Sequence, residues 1–204
     1  IPAGVSLEQA VMVPDMMCTA LGVQALDMKF GQSVAVLGVG PVGLMAVRGG
    51  ILRGAGNIFA IGSRQVCFDV ARAYGATHLV DYHNKDYVEQ IIRDNGGPLD
   101  NVVLCGGTEH ELSMGLQMLK NGGTLVNLSA YFGNASIPIQ PADGFGYGDK
   151  TIKGVGCGGG RLLLSQMAQL IACGRVAPGE AHHHRYHAWI SHPHWSCFCT
   201  MTGA

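Results

Sequence analysis

Charge is what this sequence has least of. Only 13% of its 204 residues are Asp, Glu, Lys or Arg, and 13 basic against 14 acidic side chains leave a net charge of −1. Without surplus positive charge it does not read as a nucleic-acid-coating protein, and with 48% apolar residues it does not read as a disordered one. No window reaches the roughly 18 uninterrupted apolar residues of a membrane-spanning helix. The opening IPAGVSLEQAV lacks the basic and apolar regions of a signal peptide. It also lacks an initiator methionine, as expected of a chain that begins inside a longer reading frame.

Cysteine is present but unpatterned. Seven residues at 18, 67, 105, 157, 173, 197 and 199 form no disulfide framework, so a reducing, cytoplasmic compartment is expected. Glycine is abundant: 31 residues without a period imply many tight turns.

Short apolar runs alternate with helical spacing. Residues 33–37, 58–61, 101–105 and 124–128 read as buried strands. Residues 41–53, 67–74, 85–93, 109–119 and 161–173 read as helices, and 9–26 as a helix leading into the first strand. Gly75, Gly96-Gly97 and Gly122-Gly123 fall where helices end. The alternation predicts an α/β fold, a doubly wound parallel sheet covered on both faces.

Between the first strand and its helix stands Gly38-x-Gly40-x-x-Gly43. In that context the first glycine allows a tight turn, the second lets a pyrophosphate approach, and the third lets helix and strand pack closely. An ordinary glycine turn and the nucleotide loop of a methyltransferase are the competing readings. The second strand ends in Gly62-Ser63-Arg64, where an NAD site carries an acid for the ribose 2′-OH. A guanidinium and a hydroxyl suit a 2′-phosphate, so NADP(H) is the expected cofactor. The competing reading of Arg64 is a solvated loop residue.

VPDMM (13–17), VAVLGVGPVGLMAV (34–47), LRGAG (52–56), GSR (62–64), YGAT (74–77), GGT (122–124), YFG (131–133) and TIKG (151–154) follow in that order. With these motifs the chain resembles the zinc-dependent, NADP-linked secondary alcohol dehydrogenases of the medium-chain family over about residues 4–180. The resemblance implies a Rossmann-type cofactor domain, oxidation of small secondary alcohols to ketones, a catalytic zinc and a homotetramer, with neither nucleic acid nor membrane as partner. It implies that Gly38, Val39, Gly40, Pro41, Val42 and Gly43 hold the pyrophosphate. Gly62, Ser63, Arg64 and Tyr82 would surround the 2′-phosphate, and Ser129, Ala130 and Tyr131 would run beside the nicotinamide ribose. Asp15 would be a zinc ligand; from its surroundings alone, a carboxylate after Pro14 reads rather as an N-cap.

The resemblance implies that the family's remaining ligands lie in an N-terminal GroES-like catalytic domain, which would precede Ile1 and is not expected within these residues. A catalytic zinc needs three protein ligands and an open position, so the chain alone is not expected to turn over alcohols; a stand-alone NADP(H)-binding module is the alternative. The expected organisation is a lead-in helix and catalytic-domain edge over 1–30, an NADP(H)-binding domain over 31–180 and an irregular tail over 181–204. The tail holds one formal charge, Arg185, beside six of the nine histidines and both tryptophans. It reads as a shifted frame or as a metal-binding segment built on His182, His183, His184, His187, Cys197 and Cys199. Against the family the chain is one residue short between Asp15 and Val34 and one long near 128–130. Gly49-Gly50 within a helix costs about 1 kcal/mol per glycine. Cys157, in a segment resembling one near the family's substrate pocket, reads as a small buried hydrophobe.

Overall fold

The computed structural model describes residues 1–130, 136, 139 and 146–178. The tail, with every candidate ligand in it, lies outside the described residues. Six strands form one parallel sheet in the order β3-β2-β1-β4-β5-β6. They are β1 (Val34–Leu37), β2 (Ile58–Gly62), β3 (His78–Asp81), β4 (Leu99–Leu104), β5 (Leu119–Asn127) and β6 (Thr151–Gly154). Strand order reverses between β1 and β4, which pair directly, from Val34 opposite Asn101 to Leu37 opposite Leu104. A crevice opens at such a reversal, beyond the carboxyl ends of the strands.

Alternate residues of β1 feed two cores. Val34 and Val36 face one side with α2 (Val13–Ala25), α3 (Pro41–Leu52), α4 (Gln65–Ala73) and α7 (Gly160–Ala172). Ala35 and Leu37 face the other, beneath α5 (Tyr87–Asn95) and α6 (Glu109–Met118). All four residues of β1 and all five of β2 are buried. This is why they read as continuous apolar runs rather than alternating ones.

Local chemistry sets the helix boundaries. Thr108 and Glu111 form a capping box at the start of α6, and Gly96 closes α5 in the left-handed conformation. The helix expected over 9–26 divides into a short α1 (Leu7–Ala10), capped by Ser6, and α2. Gly49 and Gly50 have a packing reason. A Cβ on Gly49 would lie 3.2 Å from Val23 Cγ2, and one on Gly50 3.3 Å from Ile58 Cδ1. Their low propensity is the cost of bringing α3 close to α2 and to the sheet. Among the described residues, no helix is long and apolar enough to cross a membrane.

One disulfide departs from the unpatterned reading of the cysteines. Cys18 on α2 is bonded to Cys157 in the loop before α7, with their Cα atoms 4.8 Å apart. Cys157 is exposed, not the buried hydrophobe expected. The sequence separation of 139 explains why spacing gave no hint of the pair.

The amino ends of the strands are clasped by Asp100. Its Oδ2 accepts from the Ser33 backbone N–H at 2.8 Å and from the Ser33 hydroxyl at 2.9 Å, while Lys120 donates to Oδ1. Desolvation pushes the Asp100 carboxyl up, but the bonds from Lys120 and Ser33 prevail and hold it below its ordinary value. Stability from this group is therefore present above the unfolded carboxylate range and is lost as pH falls through the lower folded value. Asp100→Ala should cost about 2 kcal/mol in urea unfolding at neutral pH. The deficit should shrink as pH falls below about 4; a deficit that stays constant into acid would refute the assignment.

Candidate functional site

The glycine turn leaves the carboxyl end of β1 at the strand-order reversal. Gly38 takes φ +88°, a conformation that strains residues bearing a Cβ, and its N–H donates to Ile61 O at 3.0 Å. Gly40 is the N-cap of α3, with Pro41 at its first turn and no side chain capping it. Leu44 N–H donates to Gly40 O at 2.8 Å, closing the first helical turn. A Cβ on Gly43 would lie 1.9 Å from Gly38 O, so the helix can start here only with glycine. A Cβ on Gly40 would meet nothing within 4 Å: this is the open side of the turn. The free amides and positive dipole end of α3 thus face unfilled space, the arrangement that receives a phosphate. The Thr19 hydroxyl on α2 donates to Val42 O at 3.0 Å and ties the turn to the neighbouring helix.

A cavity of about 150 Å³ lies beside the turn, lined by Gly38, Val39, Gly40, Gly62, Ser63, Arg64, Cys67 and Tyr82. It unites the glycine turn with the GSR segment and with Tyr82, although Tyr82 follows Arg64 by 18 residues. The parallel pairing of β2 and β3, with Gly62 opposite Asp81, carries Tyr82 there. Ser63 Oγ donates to Tyr82 Oη at 3.2 Å. Arg64 is exposed, supplies the backbone N-cap of α4, and among the described residues pairs with no carboxylate.

The one carboxylate at the end of β3 is engaged elsewhere. Asp81 Oδ1 accepts from the His83 backbone N–H at 2.9 Å and lies 2.8 Å from its ring Nδ1. Those bonds hold the Asp81 carboxyl below its ordinary value. The His83 ring tilts against that of Tyr82, with centroids 4.4 Å apart. Cys67 and His83 had no signal in the sequence: the first turn of α4 places Cys67 beside Arg64, and the pairing of β3 with β2 places His83 beside Tyr82. Burial raises the Cys67 thiol above its ordinary value, against the opposing effect of Arg64.

Ser129 and Ala130 stand apart from this cavity, just past β5. The Ser129 backbone N–H donates to Asn127 Oδ1 at 2.9 Å, and its buried hydroxyl has no partner among the described residues. Ala130 is exposed, and Tyr131 lies outside the described residues.

Asp15 is not the N-cap that its place after Pro14 allowed. Met12 occupies that position, and Asp15 lies within the first turn of α2. Desolvation pushes its half-buried carboxyl up to about 6 from 3.8. Zinc does not fit as a complete site: among the described residues no three His, Cys, Asp or Glu side chains form a group that could hold a metal ion.

A parallel sheet with a glycine turn at its strand-order reversal and a cation after β2 defines a dinucleotide-binding Rossmann domain. Residues 41–173 match the family model described as zinc-binding dehydrogenase, and the chain belongs to that family. The NADP-dependent isopropanol dehydrogenase of Thermoanaerobacter brockii is 43% identical over 184 residues, 88% of this chain and 52% of that protein. The 2R,3R-butanediol dehydrogenase from Bacillus subtilis superposes with a TM-score of 0.76 at 26% identity, covering 88% of this chain and 50% of its own. A putative zinc-binding dehydrogenase from Sinorhizobium meliloti 1021, solved bound to NADP, gives a TM-score of 0.77 at 27% identity over 87% and 52%. The chain spans about half the length of these relatives.

Two expectations follow. Gly43→Ala should destabilise the chain by more than about 3 kcal/mol, because its Cβ meets immovable backbone; a loss below 1 kcal/mol would show that α3 can shift. For Asp15, a raised folded pKa means that ionisation opposes folding: stability falls as pH rises from about 4 to about 6 and is level above. Asp15→Asn should therefore add about 1–3 kcal/mol at pH 8 and nothing near pH 4, read by urea unfolding.

Proposed function

We propose that this chain is the NADP(H)-binding half of an oxidoreductase that interconverts small secondary alcohols and ketones by hydride transfer. The observation that carries the reading is Arg64 on the cavity wall after β2, where an NAD-binding domain of this fold places an acid. A 2′-phosphate would meet the Arg64 guanidinium and the Ser63 and Tyr82 hydroxyls. The pyrophosphate would lie on the open side of Gly40, at the amino end of α3. When bound, NADP⁺ supplies the hydride acceptor; this chain binds and orients it.

Asp15 is proposed as the one zinc ligand that this chain contributes. Its desolvated carboxylate, without a partner among the described residues, is the kind of group that a cation would stabilise. The described residues do not complete the metal site, so no catalytic step is assigned to them. The same observation favours a second reading, a stand-alone NADP(H)-binding module. A cytoplasmic location and a homotetramer belong to the first reading by analogy with the resembled family. Ser129, Ala130 and Tyr131 remain proposed for the nicotinamide side.

Calorimetric titration tests the cofactor. NADPH should bind more tightly than NADH, and Arg64→Ala should weaken NADPH by about tenfold to a hundredfold while leaving NADH nearly unchanged. Equal affinity for the two cofactors would overturn the proposal. Turnover of 2-propanol with NADP⁺ by this chain alone would instead overturn the claim that its catalytic site is incomplete.

A further inference from the structure

The Cys18–Cys157 bond has no part in holding a nucleotide, and it conflicts with the reducing compartment expected from the cysteine pattern. In a reducing compartment, disulfides that do form are chiefly transient or redox-sensing. We propose that Cys18 and Cys157 are a reversible dithiol–disulfide site that exchanges with a low-molecular-weight disulfide of the glutathione class.

The two cysteines are placed for this. Their Cα separation of 4.8 Å lies within the span a disulfide bridges without moving backbone. Cys157 is exposed, so its sulfur is open to attack, whereas Cys18 is half-buried behind it. This is the pairing of an entry thiol with a resolving thiol. Gly156 and Gly158 flank Cys157, and a Cβ on either would meet nothing within 4 Å, so neither flank is packed over. At its other end the loop is seated on α2, where a Cβ on Gly159 would lie 3.0 Å from Met17 Cγ. Two other thiols, Cys67 and Cys105, are less suited. Cys67 is buried, and burial pushes the Cys105 thiol up to about 12, which suppresses its thiolate.

The exchange balances. The Cys157 thiol releases its proton to solvent, and the thiolate attacks one sulfur of glutathione disulfide. That S–S bond breaks, and the departing glutathione thiolate takes up a proton. The Cys18 thiolate, formed in the same way, then attacks the Cys157 side of the mixed disulfide and expels a second glutathione. The protein loses two electrons and glutathione disulfide gains them. Closure ties the glycine loop to α2, one turn beyond Asp15 and beside Thr19, whose hydroxyl holds the first turn of α3.

The test uses the 204-residue chain with Cys173, Cys197 and Cys199 changed to Ser, equilibrated in buffers of varied reduced-to-oxidised glutathione ratio and quenched by alkylation. Mass spectrometry should find the Cys18–Cys157 peptide pair at oxidising ratios, its loss at reducing ratios, and its return on re-oxidation. The thermal midpoint of the oxidised chain should exceed that of the reduced chain by about 5–10 °C, because the bond closes a long loop. Cys157→Ser and Cys18→Ser should each abolish that difference. The peptide assay needs neither substitution, so a variant that fails to fold does not block the test. No linked peptide at any ratio, a stable glutathione adduct in its place, or a bond that survives the most reducing buffer would each overturn the proposal.

Discussion

The closeness of Gly43 to the Gly38 carbonyl is the constraint on which the site depends. Because no Cβ intervenes, α3 starts directly against the end of β1, and its amino terminus projects into the crevice where strand order reverses. Everything polar at the site is arranged around that point. Thr19 holds the turn from one side, β2 delivers Ser63 and Arg64, and β3 delivers Tyr82. The sheet core behind it is fully buried, so these ends are fixed by packing on both faces rather than by their own contacts.

Electrostatics then divides the crevice. Arg64 has no carboxylate partner among the described residues, whereas Asp81, the acid that ends β3, is held by His83. A cation without a carboxylate partner among the described residues, beside a restrained anion, makes this corner suited to a phosphate and unsuited to a bare ribose hydroxyl seeking an acceptor. Asp15 shows the opposite situation on α2, a desolvated carboxylate with no compensating partner among the described residues. That desolvation is the observation behind the proposal that Asp15 serves as a metal ligand.

The sequence reading was strongest where burial was complete. β1, β2, β4 and the second half of β5 were legible because parallel strands buried on both faces read as unbroken apolar runs; the first half of β5 is largely exposed, so Gly122-Gly123, expected at a helix end, lie inside the strand instead. β3 and β6 were not read as strands: His78–Asp81 is mostly half-buried, and Thr151–Gly154 has exposed ends at the sheet edge. Helix starts shifted where polar residues lie outside the helix; α5 begins at Tyr87, whose ring is buried, rather than at Lys85. The cavity wall was legible through GSR, but Cys67 was not: it comes to the wall on the first turn of α4, whose extent the sequence alone did not fix. The disulfide was illegible because no spacing rule reaches across 139 residues. The cap reading of Asp15 failed because Pro14 sits inside the first turn of α2, not before it.

The central claim is that a cation recognises phosphate at the adenosine end of the crevice, and a fragment titration tests it without the nicotinamide half. Adenosine 2′,5′-bisphosphate and adenosine 5′-monophosphate should be titrated into the chain by calorimetry at low salt. The account expects the bisphosphate to bind at least tenfold more tightly. Indistinguishable affinities, or a preference for the monophosphate, would contradict it.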